Sequence, residues 1–266
     1  MSRWNPERDF DVDRFKGDNR LTFVPQWSDE AKDWWREHIF EPHGLYPDEF
    51  ADVLTKSVHG DRSVTYFGIS PESDSFVVKV VGSLGDPGEA WWTERGLDLR
   101  GKAFHAREMV IPERSQGQGI GRHLMGDLFD MALRMRIERI DIEAQDIGRY
   151  AWIRAGFLPD NTGWRYRLRP EIRDRLAKAR SSLSDENYRY YEAALDSDDP
   201  KIVREIASWE EPVPSRERTS GGEAILRPLG RVLLLEILAD WCGSFDLRDP
   251  TSLEIYENYA RRTLQR

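Results

Sequence analysis

The sequence is poor in cysteine and has no long apolar run, and each of these features excludes some classes of protein. Cys242 is the single cysteine among 266 residues, which excludes an internal disulfide and a cysteine-based zinc site. We expect Cys242 to be a buried small apolar side chain. The longest apolar stretch, at residues 232–238, contains Glu236 and is too short to cross a bilayer. The first 20 residues lack the apolar segment of a signal peptide, so we expect a cytoplasmic protein with no membrane partner.

Motifs for several other chemistries are also missing. The five histidines are scattered, and no His, Asp and Glu cluster has the spacing of a metal site. Neither a G-x-S-x-G motif nor a Cys and His pair supports a hydrolase. A net charge of −9 disfavours a general nucleic-acid-binding protein. Residues 101–170 are nevertheless net basic between two acidic segments, which suits an anionic cofactor.

Hydrophobic periodicity and breaker residues predict alternating helices and strands before Pro170. Helices are expected at residues 28–40, from Pro47 onward, at 119–136 and at 148–155. Strands are expected at 63–69, 75–82, 103–111, 138–144 and 163–168. Residues 82–101 show no clean period, so we expect either a loop that closes over a substrate or a long hairpin connection.

The sequence predicts a separate, mostly helical extension after Pro170. Helices are expected at residues 171–183, 185–195, 199–209 and 250–264. Residues 210–223 are rich in Pro, Glu, Ser and Gly and predict a linker or mobile loop. The apolar stretch at 225–241 is too hydrophobic for a free tail. We expect residues 171–266 to dock on the preceding domain or on a second subunit, the latter giving a homodimer.

The run Ser115-Gln116-Gly117-Gln118-Gly119-Ile120-Gly121-Arg122 joins a predicted strand to a predicted helix. Glycines at such a junction let backbone N–H groups converge on an anion, and the helix N-terminus adds positive potential. The run therefore predicts a phosphate or pyrophosphate site. The alternative is a turn that needs glycine for steric reasons alone.

Two motifs in this region carry a family resemblance. Gln116-x-x-Gly119-x-Gly121 resembles the Q/R-x-x-G-x-G/A acetyl-CoA motif of the GNAT N-acyltransferases, and residues 148–157 resemble the family's later helix with its closing Gly-Phe pair. The resemblance covers residues 60–170. It implies an α/β (α+β) fold in residues 1–170, with a mixed, mostly antiparallel sheet flanked by helices. Residues 171–266 lie outside the resemblance, and their sequence pattern predicts a mostly helical C-terminal extension.

The resemblance also implies a cofactor, acetyl-CoA or another acyl-CoA, lying between the strands at 103–111 and 138–144. Its pyrophosphate would lie on the amides of residues 118–122. Arg122 would either add a charged contact or lie exposed in the first helical turn. Gln145 stands where the family often has an Asn. The cofactor-binding residues so implied are Val110, Ile111, Gln116, Gly117, Gln118, Gly119, Ile120, Gly121, Arg122, Gln145 and Trp152.

Acylation of an amine needs a base that removes a proton from the ammonium group. Glu108 and His105 are the candidates on the strand before the loop. A carboxylate in a mostly apolar strand costs desolvation energy unless it has a purpose or a partner, and the partner would be Arg107 or Arg114. The family's acidic base commonly lies on this strand, which favours Glu108. The two candidates share one side of the strand only if a bulge displaces one of them.

The proton donor for the leaving thiolate is less clear from the sequence. Trp152 occupies the position where the family often has a tyrosine, and an indole N–H is a poor acid. Tyr150 lies two residues earlier, almost opposite on a helix. Three alternatives follow: Tyr150 is repositioned, the thiolate leaves without a protein acid, or the site is inactive.

The leading interpretation is an N-acyltransferase that moves an acetyl group from acetyl-CoA to a primary amine by direct attack in a ternary complex. The acceptor would be a small molecule, a peptide or a protein. One alternative is a non-catalytic acyl-CoA-binding domain whose helical tail binds a partner. Another is a toxin-like GNAT protein acting on aminoacyl-tRNA, which the net charge of −9 disfavours.

Overall fold

The computed structural model describes residues 9–70, 72, 74–84, 89–237 and 239–261. The chain divides into two compact units, Met1–Ile140 and Asp141–Arg266. Each unit combines helices with strands, so the protein belongs to the mixed α/β class that the sequence predicts. None of the described helices has the length and apolar character needed to cross a bilayer.

Five strands build the sheet of the first unit. They are β1 (Leu21–Val24), β2 (Arg62–Ser70), β3 (Ser75–Ser83), β4 (Ala90–Asp98) and β5 (Ala103–Val110), and they lie in that order. β1 is parallel to β2, whereas β2 to β5 are antiparallel neighbours. The predicted mostly antiparallel character is therefore confirmed in this unit.

Strand β4 lies where the sequence predicts only a loop or hairpin connection, so that prediction is wrong. Its buried positions alternate through Trp91, Thr93, Arg95 and Leu97. Two of these four side chains are polar, so burial alternates along the strand although hydropathy does not. Residues 85–88 of the predicted connection lie outside the described residues.

The helices of the first unit bury aromatic side chains against the sheet. The first helical segment comprises α1 (Asp29–Trp35), a π-helical turn (Arg36–Phe40) and α2 (Glu41–His43), and is followed by α3 (Pro47–Leu54). Ser28 caps α1 by accepting a hydrogen bond from the Ala31 amide at 3.2 Å. The segment ends at Gly44 (φ 65°) rather than near Phe40, because Pro42 is accommodated in the first turn of α2. Trp35, Phe50, Tyr66 and Phe76 are buried together, with ring centroids 5.2–5.7 Å apart.

Strand β5 leads through a short 3₁₀ turn (Glu113–Ser115) and a glycine loop into α4 (Ile120–Arg134). Ile120, Leu124, Leu128 and Met131 are buried at helical spacing along α4, as predicted. The next strand, β6 (Arg139–Ala144), spans the boundary between the two units.

The second unit begins with α5 (Gly148–Arg154) and β7 (Leu158–Pro159). A continuous helical segment follows: α6 (Asn161–Gly163), a π-helical stretch (Trp164–Leu168) and α7 (Arg169–Lys178). The strand predicted at 163–168 is therefore wrong. Asp160 caps the segment by accepting from the Gly163 amide at 2.7 Å. Trp164 and Leu168 are buried four residues apart, whereas Tyr166 is 70% exposed, which is a helical rather than an alternating pattern.

The rest of the second unit contains α8 (Asp185–Ala194), α9 (Ile202–Ile206), β8 (Pro212–Arg218), β9 (Ala224–Pro228), α10 (Leu229–Leu235), β10 (Trp241–Asp246) and α11 (Pro250–Arg261). The predicted linker at 210–223 is wrong, because β8 and β9 form an antiparallel hairpin with Val213 buried. Residues 262–264 of the predicted last helix lie outside the described residues. The boundary predicted at residue 170 falls in the first turn of α7, and the assignment of residues 1–170 to an acyltransferase domain stays a prediction.

Strand β10 pairs with β7 in antiparallel fashion, with Gly243 opposite Pro159. Its first residue, Trp241, is buried, and the side chain of the next residue, Cys242, points outward. The predicted burial of Cys242 is therefore wrong, because strand alternation exposes the position that follows a buried tryptophan.

Candidate active site

The glycine run forms the loop between β5 and α4. Two glutamine side chains hold it by donating to backbone carbonyls, Gln116 to Ile111 and Gln118 to Arg114, each at 3.2 Å. Gly117 and Gly119 have φ of +80° and +87°. Residues that carry a Cβ atom rarely adopt this left-handed backbone conformation, which glycine adopts without strain. The loop therefore requires glycine at both positions.

A row of backbone N–H groups in this loop is open. The first amides bonded within α4 are those of Arg122 and His123, which donate to the Gly119 carbonyl at 3.0 Å. The amides of residues 117–121 donate to no acceptor among the described residues. A Cβ atom placed at Gly117 or Gly119 would meet nothing within 4 Å. The first turn of the 15-residue helix also carries no acidic residue, so no negative side chain in that turn opposes the positive end of the helix dipole.

Gly121 serves packing rather than loop conformation. A Cβ atom here would lie 3.1 Å from Ile111 Cδ1 and 3.6 Å from Met109 Cε. The first turn of α4 thus packs closely on the end of β5. Val110 is the last residue of β5 and is 37% exposed, and Arg122 is half-buried in the first turn of α4. The predicted cofactor-binding residues between Val110 and Arg122 are therefore brought together in the first unit.

A bulge in β5 places the two candidate bases on one face. Glu94 of β4 pairs with Glu108, but Arg95 pairs with Ala106, which leaves Arg107 as the extra residue. Gly96 pairs with His105. Because Glu94 and Gly96 share a face of β4, His105 and Glu108 share a face of β5. The displacement that the sequence analysis required is present.

Glu108 has an exposed side chain, although the apolar composition of its strand suggested a desolvated one. Neither expected cationic partner is paired with it. Arg107 Nε lies 3.2 Å from Glu94, and Arg114 Nε lies 2.8 Å from Glu89. Within the part of the chain that the structure describes, no cation forms an ion pair with Glu108. Its carboxylate is therefore exposed and has no charged partner in that part of the chain.

Two side chains that the sequence analysis missed lie beside this bulge. The carbonyl oxygen of Glu108 accepts a hydrogen bond from Thr93 Oγ1 at 3.1 Å and from Arg95 Nη1 at 3.4 Å. Arg95 is only 2% exposed, and this burial lowers its pKa to about 10. The sequence signal for Arg95 is an arginine at a position where strand alternation predicts a buried side chain. That signal requires β4 to be recognised as a strand first.

The other predicted site residues lie in the second unit. Trp152 is buried in α5, where its ring packs on Phe157 with centroids 4.8 Å apart. The Tyr150 hydroxyl donates to the Ala207 carbonyl at 3.5 Å and accepts from Arg154 at 3.3 Å. The Gln145 amide donates to Glu143 at 3.2 Å. The roles of these residues toward a cofactor stay predictions.

A metal-binding group is not evident in the described ranges, which contain no cluster of three or more His, Cys, Asp or Glu side chains with suitable geometry.

Comparisons with known proteins give little more. No protein-family model matches the chain, and no curated protein matches it. Among solved structures, that of nourseothricin acetyltransferase is similar to part of the chain, with a TM-score of 0.28 and 19% identity. The aligned region covers 37% of this chain and 61% of that protein, so the chain matches less than two thirds of the neighbour's length. We rest no functional assignment on a similarity of this size.

Proposed function

We propose that this protein is an N-acyltransferase that uses acetyl-CoA, or another acyl-CoA, to acylate a primary amine. The observation that carries the proposal is the row of open amides at residues 117–121, at the N-terminus of α4. Such a row fits a pyrophosphate. The loop that carries it comes after β5 and a short 3₁₀ turn, and the bulge of β5 places an exposed Glu108 carboxylate that no cation among the described residues pairs with.

The loop residues fit the pyrophosphate part of coenzyme A. Gly117 and Gly119 leave open space where a side chain would otherwise stand, so phosphate oxygens can approach the backbone N–H groups. Bound acyl-CoA supplies an acyl group activated as a thioester. Residues 117–121 hold its anionic end, and Val110 and Ile111 offer backbone groups at the end of β5.

Glu108 acts as the general base in this proposal. Its carboxylate takes a proton from the acceptor ammonium group, directly or through a water molecule. With acyl-CoA bound, the amine nitrogen would form the new N–C bond as the C–S bond breaks. The nitrogen would then lose a second proton, which balances the proton that the leaving sulfur takes up. Tyr150 is the proposed protein donor for that proton, and water is the alternative.

Calorimetry with acetyl-CoA tests the anion site. Gly119→Asp places a carboxylate among the open amides and should abolish binding, whereas Gly119→Ala adds backbone strain without charge and should weaken binding less. Gly222→Asp is the matched control, because Gly222 has φ of +85° and open space in the β8–β9 turn. Unchanged acetyl-CoA affinity in folded Gly119→Asp would refute the site.

Thiol release from acetyl-CoA in the presence of an amine panel tests the reaction. The second candidate function is a non-catalytic acyl-CoA-binding protein. It is favoured by Trp152 at the usual tyrosine position and by the Tyr150 hydroxyl, which already contacts Ala207 and Arg154. Binding of acetyl-CoA without turnover on any amine would select this candidate.

A further inference from the structure

The carbonyl oxygen of Glu108 is held by two side chains of the neighbouring strand. Thr93 donates to it at 3.1 Å, and Arg95 Nη1 donates to it at 3.4 Å and to the Glu94 carbonyl at 3.5 Å. Thr93 pairs with Met109 and Arg95 with Ala106, so both point to the face opposite Glu108. They contact the backbone of the bulge, not the carboxylate. We call Thr93 and Arg95 together the carbonyl clamp.

Arg95 is energetically unfavourable at this buried position. It is 2% exposed, and no carboxylate among the described residues forms an ion pair with it. Its other polar contact is the Met109 sulfur at 4.0 Å. A buried charge without a counter-charge is destabilising, so an apolar side chain would suit stability alone better. The guanidinium gives instead a donor that bridges the carbonyls of two directly opposed residues, Glu94 and Glu108.

We propose that Thr93 and Arg95 are positioning residues, which fix the bulge in β5 and thereby aim the Glu108 carboxylate. This inference rests on the proposed function, in which Glu108 is the base. A bulge re-aims the side chains beside it, and without the bulge Glu108 and His105 would lie on opposite faces of β5. Loss of the carbonyl clamp therefore lets the carboxylate leave its productive position while the rest of the sheet stays paired.

Hydrogen exchange on the intact protein tests the clamp without any ligand. Thr93→Val keeps the side-chain shape but removes the donor, and Thr93→Ser keeps the donor. We expect exchange of the amides at residues 107–110 to be at least about tenfold faster in Thr93→Val and Arg95→Met, with Thr93→Ser near wild type and the β2–β3 ladder unchanged. Unchanged exchange at 107–110 in Thr93→Val would overturn the clamp, even if Arg95→Met fails to fold.

Kinetics of thiol release test the positioning role. We expect Arg95→Met to lower kcat by about 10²-fold, the cost of a misplaced catalytic group, with KM for acetyl-CoA unchanged and partial rescue in Arg95→Lys. The double variant Arg95→Met/Glu108→Gln should be no slower than Glu108→Gln alone, because Arg95 acts through Glu108. If the two substitutions lowered kcat by the product of their separate effects, the positioning role of Arg95 would be wrong. A wild-type protein without turnover would overturn the proposed function and the positioning role together, whereas exchange would still decide the clamp.

Discussion

Glu94 and Glu108 are direct cross-strand partners on β4 and β5, yet among the described residues an ion pair to a cation is formed by Glu94 and not by Glu108. Two carboxylates in this position repel each other. Arg107, the extra residue of the bulge, lies 3.2 Å from Glu94 and offsets that repulsion on one side only. The Glu108 carboxylate keeps its charge uncompensated by an ion pair among the described residues, which is consistent with the proposed role of Glu108 as the base.

Glu108→Gln should lower turnover by about 10²–10⁴-fold, the usual contribution of a positioned base, with acetyl-CoA affinity little changed. The deficit should shrink as pH rises, because free amine then becomes available without a base. Thiol release measured across pH checks this. Glu94→Gln is the matched control on the same row, and its effect should be much smaller. Near-normal activity of Glu108→Gln at neutral pH would move the role to His105 or to a water chain.

Tyr150→Phe should lower turnover while acetyl-CoA affinity stays the same, if the hydroxyl protonates the leaving thiolate. The same substitution removes the contacts with Ala207 and Arg154, so the free energy of unfolding should fall by about 0.5–1.5 kcal/mol. Turnover and urea unfolding measured on one preparation separate the two effects. A fully active Tyr150→Phe protein would show that the thiolate leaves without this residue.

Glu236→Gln should destabilise the protein strongly. Glu236 accepts from Arg175 at 2.6 Å and from the Arg216 amide at 2.6 Å, and the Glu236 and Arg175 side chains are only 11% and 14% exposed. Neutralising Glu236 leaves the half-buried Arg175 guanidinium without its charged partner, and losing a hydrogen bond to a charged group costs about 1.5–3 kcal/mol. Asp174→Asn breaks an exposed pair with Lys178 on the same helix and should cost under about 1 kcal/mol. Equal unfolding midpoints for the two variants would contradict this account.

Asp249 should make stability depend on pH in the acidic range. It accepts hydrogen bonds from the Ser252 hydroxyl at 2.6 Å and from the Thr251 and Ser252 amides at the start of α11, and these hydrogen bonds lower its pKa from the ordinary value of an aspartate. A lowered pKa stabilises the folded state above the unfolded value and loses that effect as pH falls through the folded value. Asp249→Ala should cost about 1 kcal/mol at pH 7.

The difference in unfolding midpoint between wild type and Asp249→Ala should shrink when the pH is lowered below about 4. Asp249→Asn keeps the capping oxygen without the charge and should lie between the two proteins at pH 7. A midpoint difference that stays constant from pH 7 to pH 2 would refute the assignment.

Local signals in the sequence were sufficient to predict the glycine loop and the strand and helix on either side of it. The glycines at 117 and 119 are required by positive φ, and the spacing of Leu124, Leu128 and Met131 is that of one helix face. These features depend on neighbours a few residues away, which is why sequence patterns identify them. The row of open amides follows from the same two glycines.

The elements that sequence reasoning missed depend on distant partners. Strand β4 was missed because Thr93 and Arg95 interrupt its apolar face, and both are explained only by the Glu108 carbonyl on another strand. The β8–β9 hairpin has the polar, proline-containing composition of a linker, yet Glu236 accepts from the Arg216 amide and fixes β8 in place. At residues 163–168, apolar Trp164 and Leu168 fit both the alternation of a strand and the four-residue spacing of a helix. The Asp160 side chain caps the segment and thereby favours the helix.

The outward position of Cys242 has a practical consequence for enzymology. It is the single thiol of the chain. Partial desolvation and the nearby Glu143 and Asp160 carboxylates raise its pKa, so at neutral pH it is mostly protonated yet reachable by small reagents. A colorimetric thiol reagent used to test the proposed reaction will therefore also titrate about one equivalent of protein. Cys242→Ser removes that background, and the same side chain becomes a unique attachment point for a fluorescent label on β10.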